Sequence, residues 1–248
     1  MPRKFELRKE IEVDASPEQV WRAIATGPGL TSWFAPHEVE PRQGGRLRLT
    51  LSGWTSESTI TTWDPPRRFA TRGQPAEDGS VQAFEFLIEG REGGTTVLRF
   101  VQSFLGDDWD GEYEGFGRGW DMYLHTLAQY LTHFGRRTAT FVVAQGPPVS
   151  SQESAWTTLL GGLGLAGEVG QGDRVRLTPE GLAPLEGVVD YLDRPAFLGL
   201  RAGDALYRFH VRADAVALGH HLFSGDVDQK DAERAWQVWL NELLPQAG

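Results

Sequence analysis

Large aromatic side chains are the residues of this sequence whose type and number point most directly to chemistry. The 248-residue chain contains nine tryptophans, 13 phenylalanines and five tyrosines. Such side chains carry a large apolar surface that belongs in a core, an interface or a pocket. A set in the first half could line a pocket for an apolar ligand, with a few serine, threonine or arginine groups fixing its orientation. The candidate ligand-binding residues are Trp33, Phe34, Trp54, Trp63, Phe84, Phe86, Phe100, Phe104, Trp109, Phe116 and Trp120.

Two interpretations of these aromatic residues remain open, because they either line a cavity or fill the core of the first half. Two interpretations are also open for the segment Gly106–Gly119, GDDWDGEYEGFGRG. Its glycines, acids and aromatics suit a mobile lid at the mouth of a pocket. They equally suit a solvated loop whose acids lie near a helix N-terminus, and this interpretation is favoured over a catalytic role.

Metal-ligating and catalytic patterns are weak. Asp121 and His125 lie i, i+4 on one helix face, with His133 two turns further on, but no second cluster completes a ligand set. His220 and His221 are adjacent on a strand and therefore point to opposite faces of a sheet. The sequence contains no cysteine, and no nucleophile elbow, phosphate loop or dinucleotide fingerprint. We therefore expect no metal, no cofactor and no catalytic residue.

Charge and hydropathy exclude several classes of protein. The formal net charge is −10 and the isoelectric point is about 5.1, so the field of the protein repels polyanions and nucleic acid is not an expected partner. No apolar run approaches the roughly 20 residues of a membrane span, so membrane insertion is not expected. The sequence starts MPRKFELRKEIEV, which is charged where a signal peptide is apolar, and we expect a cytoplasmic protein.

An internal repeat predicts two domains. The segment Ser16–Leu30 aligns with Ser151–Leu165, and further matches follow in the same order along the chain. The separation between matched residues falls from 135, at the two serines, to 116, at Trp120 and Trp236. Such a steady fall is expected of a second copy with shortened loops and strands, whereas chance amphipathic similarity would not keep the order. We expect domains over residues 1–136 and 137–248, packed together as an intramolecular pseudo-dimer.

The patterning of the first copy predicts an α+β unit. Phe5–Val13 alternates as a strand, and Ser16, Pro17 and Gln19 form the start of a capped helix. Gly27 and Gly29 are expected to break this helix, after which residues 30–34 make one more turn. Further strands are predicted at about 45–53, 57–63, 67–72, 81–89 and 95–104, with turns too short for parallel crossovers. A long helix with Trp120, Leu124, Leu127 and Leu131 on its apolar face completes the unit.

Taken in order, these segments resemble a known family. The segments that carry the resemblance are SPEQVWRAI, the turn Leu30–Phe34, GGRLRLTLSG, a strand ending in WDPPRRF, and Gly119-Trp120 opening a helix with regularly spaced leucines. Residues 1–136 resemble the branch of the START/SRPBCC superfamily named after the activator of heat-shock-protein-90 ATPase. This resemblance implies two helix-grip domains, each a curved antiparallel sheet around a long C-terminal helix. The second copy is similar only through the repeat and lacks a counterpart of Trp33-Phe34.

The resemblance implies an apolar cavity between sheet and helix, and three functions follow as hypotheses. The first is a non-catalytic protein that binds a hydrophobic small molecule in the first domain. The second is an enzyme of the aromatase or cyclase kind, or a self-sacrificing toxin-resistance protein, which predicts a polar or ionisable side chain in the cavity. The third is an interaction protein with a chaperone partner. Fold alone does not choose among them.

Overall fold

A computed structural model describes residues 3–51, 53–106, 113–165 and 167–244. The chain divides into two compact units, Met1–Thr138 and Ala139–Gly248. Each described strand pairs antiparallel with its neighbours, and helices accompany both sheets. The predicted α+β class is therefore confirmed.

The first unit is a seven-stranded sheet with three helices. Its elements in chain order are β1 (Arg3–Val13), α1 (Pro17–Ala25), α2 (Gly27–Thr31), β2 (His37–Val39), β3 (Arg46–Leu51), β4 (Trp54–Asp64), β5 (Arg68–Gly73), β6 (Val81–Gly90), β7 (Thr96–Gly106) and α3 (Tyr113–Phe134). The sheet order is β1-β7-β6-β5-β4-β3-β2. The first strand thus pairs with the last, and the strands between form a meander.

Helix α1 starts at the predicted capping box. The Ser16 hydroxyl accepts from the backbone N–H of Gln19, and the Gln19 side chain accepts from the backbone N–H of Ser16 at 2.8 Å. Two backbone donors that the helix leaves unpaired are thereby satisfied. Val20, Trp21 and Ile24 are buried, as their spacing predicts.

Helix α2 begins where the sequence predicts a break. Thr26 caps a five-residue helix that starts at Gly27, so the turn predicted over residues 30–34 begins earlier than expected. Glycine is needed here because α2 folds back tightly on α1 and β2. A Cβ on Gly29 would lie 2.0 Å from the carbonyl oxygen of Arg22, and one on Gly27 would lie 2.5 Å from that of His37. These glycines bring β2 close to the helices.

Helix α3 begins at Tyr113, so the second half of the predicted 106–119 loop is helical. Its first turns carry glycines, but the buried Trp120, Leu124, Leu127 and Leu131 follow at helical spacing and form the expected apolar face. Residues 107–112, and with them Trp109, lie outside the described part of the chain. The lid hypothesis for this segment therefore stays a prediction.

Over its described residues, the second unit has the same order of elements with one helix and one strand fewer. Its elements are β8 (Thr140–Pro148), α4 (Gln152–Gly162), β9 (Arg174–Leu177), β10 (Leu185–Asp193), β11 (Phe197–Arg201), β12 (Ala205–Val211), β13 (Ala215–Leu222) and α5 (Gln229–Leu243). The sheet order is β8-β13-β12-β11-β10-β9. Trp156 of α4, Phe209 of β12 and Trp236 of α5 belong to one buried core.

Candidate functional site

One face of the first sheet, here called the inner face, carries the aromatic residues of strands β4 to β7. Trp63, Phe69, Phe86 and Phe100 lie side by side because the register pairs each with the next across adjacent strands. A shift of register between Ile60 and Thr62 turns Trp63 to the same face as Ile60. A row of rings therefore crosses four strands.

Helices α1 and α3 and the segment that follows α2 add further rings to this row. Trp120 of α3 lies 4.0 Å from Phe100 between ring centroids and 5.5 Å from Phe34, which follows α2. Trp21 of α1 lies 5.0 Å from Trp63 in an edge-on arrangement. Successive contacts join all of these rings into one set, which we call the ring cluster. Its members are Trp21, Trp33, Phe34, His37, Trp63, Phe69, Phe84, Phe86, Phe100, Trp120 and Tyr123.

The polar edges of the two central indoles are satisfied within the protein. The Nε1–H of Trp120 donates to Oε1 of Gln102 at 2.8 Å, and Gln102 is 1% exposed. The Nε1–H of Trp33 donates to the carbonyl oxygen of Ala23 at 3.0 Å. Buried indoles usually find such partners. The two hydrogen bonds fix α3 to β7 and the Trp33 ring to α1.

Thr71 is a buried polar group among these rings. It lies opposite Phe84 on β6 and Ile60 on β4, and two residues from Phe69 on the same face of β5. The residue is 2% exposed, and its Oγ1 has no hydrogen-bond partner within the described residues. A buried hydroxyl without a partner costs about 1–3 kcal/mol. The inner face therefore holds a fully buried hydroxyl able to bond a ligand.

His37 places a titratable ring at one end of the ring cluster. It stacks on Phe34 at 5.5 Å, and its Nδ1 lies 2.8 Å from the carbonyl oxygen of Ala35. Burial lowers the pKa of His37, an effect partly offset by that hydrogen bond. The neutral ring must donate Nδ1–H to the carbonyl, which leaves Nε2 with its lone pair. His37 is therefore a weak base held against aromatic rings.

The structure gathers most of the predicted ligand-binding residues but not all of them. Trp33, Phe34, Trp63, Phe84, Phe86, Phe100 and Trp120 belong to the ring cluster, and Phe104 lies half-buried on the same face of β7. Trp54 shares that face at the tip of the β3–β4 hairpin, where it is 60% exposed and makes no ring contact within the described chain. Trp109 and the side chain of Phe116 lie outside the described residues.

Sequence reasoning missed three rings of the cluster, Trp21, Phe69 and Tyr123. It also missed the polar site residues Thr71, Gln102 and His37. Thr71 and Gln102 occupy inward positions of alternating strands, in Phe69-x-Thr71 and Phe100-x-Gln102, where an apolar residue is expected. This interruption of the pattern is a signal that could have identified them. His37 has no such signal, because the three-residue strand β2 that carries it is too short to show a period.

Charged groups of the first unit are mostly engaged with one another. Arg46 pairs with Glu40 at 2.9 Å, Arg48 with Glu57 at 3.1 Å, and Nζ of Lys9 with Asp121 at 2.7 Å. Across the described part of the chain, no three His, Asp or Glu side chains are grouped as a metal site requires. No helix in the same ranges is long and apolar enough to cross a membrane.

Comparison with known proteins assigns the first unit. The family model described as activator of Hsp90 ATPase homolog 1-like protein matches residues 14–132, a range that contains the whole ring cluster. The first unit belongs to this family. The resemblance inferred from its sequence is confirmed, and we refer to it as the activator-homologue unit. Among curated proteins, none matches the sequence.

Solved structures similar to the chain cover either about half of it or nearly all of it. MLL2253 from Mesorhizobium loti is 20% identical, over 52% of this chain and 98% of its own, with a TM-score of 0.47. The Aha1 dimer from Colwellia psychrerythraea is 21% identical, over 53% and 98%, with a TM-score of 0.45. DynU16, from the dynemicin biosynthetic locus, is 17% identical, over 96% and 95%, with a TM-score of 0.47. The first two thus match about the length of the activator-homologue unit.

Proposed function

We propose that the activator-homologue unit binds an apolar, ring-containing small molecule on its inner face, without transforming it. The orphaned hydroxyl of Thr71 is the observation that carries this proposal. A core built only for stability gains nothing from a buried threonine that lacks a partner. A ligand hydroxyl or carbonyl that bonds to Thr71 would remove that cost and fix the orientation of the ligand.

The ring cluster supplies the apolar part of the proposed site. Its rings contact one another at centroid distances from 4.0 Å, for Phe100 and Trp120, to 6.4 Å, for Phe69 and Phe86. Binding therefore exchanges some contacts between rings for contacts between ring and ligand. A flat ligand suits this exchange, because offset-stacked and edge-on geometries are open to it at every position.

Isothermal titration calorimetry of the full chain with 2-naphthol tests this proposal, with naphthalene as the matched probe that lacks the hydroxyl. We expect 2-naphthol to bind more tightly than naphthalene. Thr71→Val should remove that difference by weakening 2-naphthol binding about fivefold or more, which corresponds to one neutral hydrogen bond. Thr59→Val is the control, because Thr59 lies on the opposite face of β4, between Arg46 and Arg72. Equal effects of the two variants, or no binding of either probe, would overturn the proposal.

An enzymatic function of the cyclase kind is a second candidate, and His37 is the residue that favours it. A neutral imidazole with a free Nε2 lone pair beside an aromatic site can accept a proton from carbon. Pentane-2,4-dione in D2O tests this, because a base at the site would speed the exchange of its central protons for deuterium. Exchange that the protein accelerates and His37→Gln abolishes would favour the enzyme. Binding without acceleration supports the non-catalytic function.

A further inference from the structure

The second unit contains a hollow of about 550 Å³ on the edge of its sheet. Strands β9, β10 and β11 and the turn after β11 form its walls. Its charged lining consists of Arg174, Arg176, Arg201 and Glu186, and Val188 supplies an apolar side chain on the same face. Three cations therefore meet one acid in a chain whose net charge is −10.

The register places two of these arginines on either side of Val188. Val188 pairs with Arg174 on β9 and with Arg201 on β11, so all three side chains lie at one level on the same face. Strands in a sheet are about 4.8 Å apart, so the two arginine Cα atoms are separated by about 10 Å. The side chain of Val188 therefore lies between the two arginines as a small apolar surface. Both guanidinium groups can reach a ligand group that lies on it.

Unlike most of the strand arginines that the structure describes, these two have no counter-charge. Arg174 and Arg201 form no ion pair with any described residue, and Nε of Arg201 is buried without a hydrogen-bond partner there. Arg176 has a loose pair with Glu186 at 3.5 Å. By contrast, Arg99 of the first unit contacts both Glu10 and Glu89 at 2.7 Å. A buried guanidinium N–H without an acceptor is a costly group that an anion would satisfy.

We propose that this hollow binds a small organic anion, with its oxyanion group between Arg174 and Arg201 over Val188. Guanidinium groups present donors in a fork that matches carboxylate and phosphate oxygens. The apolar side chain of Val188 suits the organic part of the ligand. This site lies within the second unit and does not depend on the function proposed for the first.

Titration calorimetry of the full chain with phenyl phosphate, benzoate and benzyl alcohol tests the proposal in a phosphate-free buffer of low ionic strength. We expect one anion per chain and weaker binding as salt is added, because exposed charges are screened. Tighter binding of phenyl phosphate would identify a phosphate ligand, and tighter binding of benzoate a carboxylate ligand. Binding of neutral benzyl alcohol as tight as that of both anions would overturn the proposal.

Substitutions locate the site. Arg201→Gln and Arg174→Gln should each weaken anion binding about tenfold or more, the usual loss for one charge-assisted hydrogen bond. Arg212→Gln removes the same charge just after the C-terminal end of β12, where Arg212 pairs with Asp214, and should leave binding unchanged. Arg174 is exposed, so its variant keeps the test valid should Arg201→Gln fail to fold. Equal loss in all three variants, or no loss in Arg174→Gln, would contradict the site.

Discussion

Trp120 and Gln102 form a buried hydrogen bond that joins the last helix of the first unit to the sheet. The indole Nε1–H donates to the amide Oε1 at 2.8 Å, and the indole ring lies against Phe100 two residues away on the same strand. The polar edge of Trp120 is thus fixed to β7 while its face remains part of the ring cluster. This arrangement satisfies the indole N–H while the ring packs against its aromatic neighbours.

Removing the acceptor should destabilise the first unit. In Gln102→Leu the Trp120 N–H stays buried without a partner, which should lower the free energy of unfolding by about 1–3 kcal/mol. Urea unfolding followed by circular dichroism measures the change. Gln82→Leu is the control, because Gln82 is half-buried on the same face and makes no hydrogen bond through its side chain to a described residue. The account is wrong on this point if both variants lose the same stability.

Thr71→Val should behave in the opposite way. Valine has nearly the shape of threonine, and the hydroxyl that it removes has no partner within the described chain. We therefore expect the free energy of unfolding to stay the same or rise by about 1 kcal/mol. The same urea titration checks this. A decrease of more than about 1 kcal/mol in the free energy of unfolding would show that the hydroxyl has a structural partner and is not available to a ligand.

The buried ion pair of the second unit should be sensitive to neutralisation of one partner. Arg208 and Asp190 meet through two hydrogen bonds of 3.0 and 2.7 Å, with side chains 2% and 4% exposed. Asp190→Asn leaves a buried guanidinium without its counter-charge, and should cost about 3–5 kcal/mol. The double variant Asp190→Leu with Arg208→Met removes both charges and should be more stable than Asp190→Asn. Thermal unfolding of the two variants measures the difference. A lower unfolding temperature for the double variant than for Asp190→Asn would contradict the prediction.

Two histidines of the second unit should make stability depend on pH. Burial lowers the pKa of His210 to about 4 and lowers the pKa of His220 well below its ordinary value. The unfolded chain takes up protons on these histidines near pH 6.5, while the folded chain does not. The two histidines therefore do not reduce the free energy of unfolding above pH 6.5. As the pH drops toward 5, this free energy falls by up to about 1.4 kcal/mol per pH unit for each histidine.

Urea unfolding at pH 7, 6 and 5 measures this slope. Most carboxylates remain charged in that window, so the histidines dominate it. Replacing His210 with Gln should remove the contribution of one histidine to the change of unfolding free energy with pH. A flat profile in the unsubstituted protein, or an unchanged slope in the variant, would contradict the burial of a neutral ring.

Periodicity and capping made most of the first unit predictable from the sequence. Local signals set the start of α1 at Ser16 and the buried face of α3, because both depend on residues within a few turns of each other. The first helix ends just before Gly27, as predicted, but the turn predicted over residues 30–34 already starts at Gly27, which opens α2. The reason for this earlier start is a long-range contact, the close approach of the His37 carbonyl, which no local pattern contains.

The candidate site was predictable in composition but not in arrangement. The aromatic residues were visible in the sequence, whereas their partners Thr71 and Gln102 depend on which residues face each other across β5, β6 and β7. That register is set by pairing between distant segments. The same reason hid the hollow between Arg174 and Arg201, which lie on two strands separated by a third.

The most direct test of ligand binding uses the indole N–H signals of the nine tryptophans in a nitrogen-15 correlation spectrum. These signals can be assigned with single Trp→Phe variants. Addition of 2-naphthol should shift the signal of Trp120 strongly, because its ring lies at the centre of the ring cluster, and should leave Trp54, Trp156 and Trp239 unmoved. Shifts confined to those three tryptophans, with the Trp120 signal unchanged, would contradict the proposal that the inner face of the first unit is the binding site.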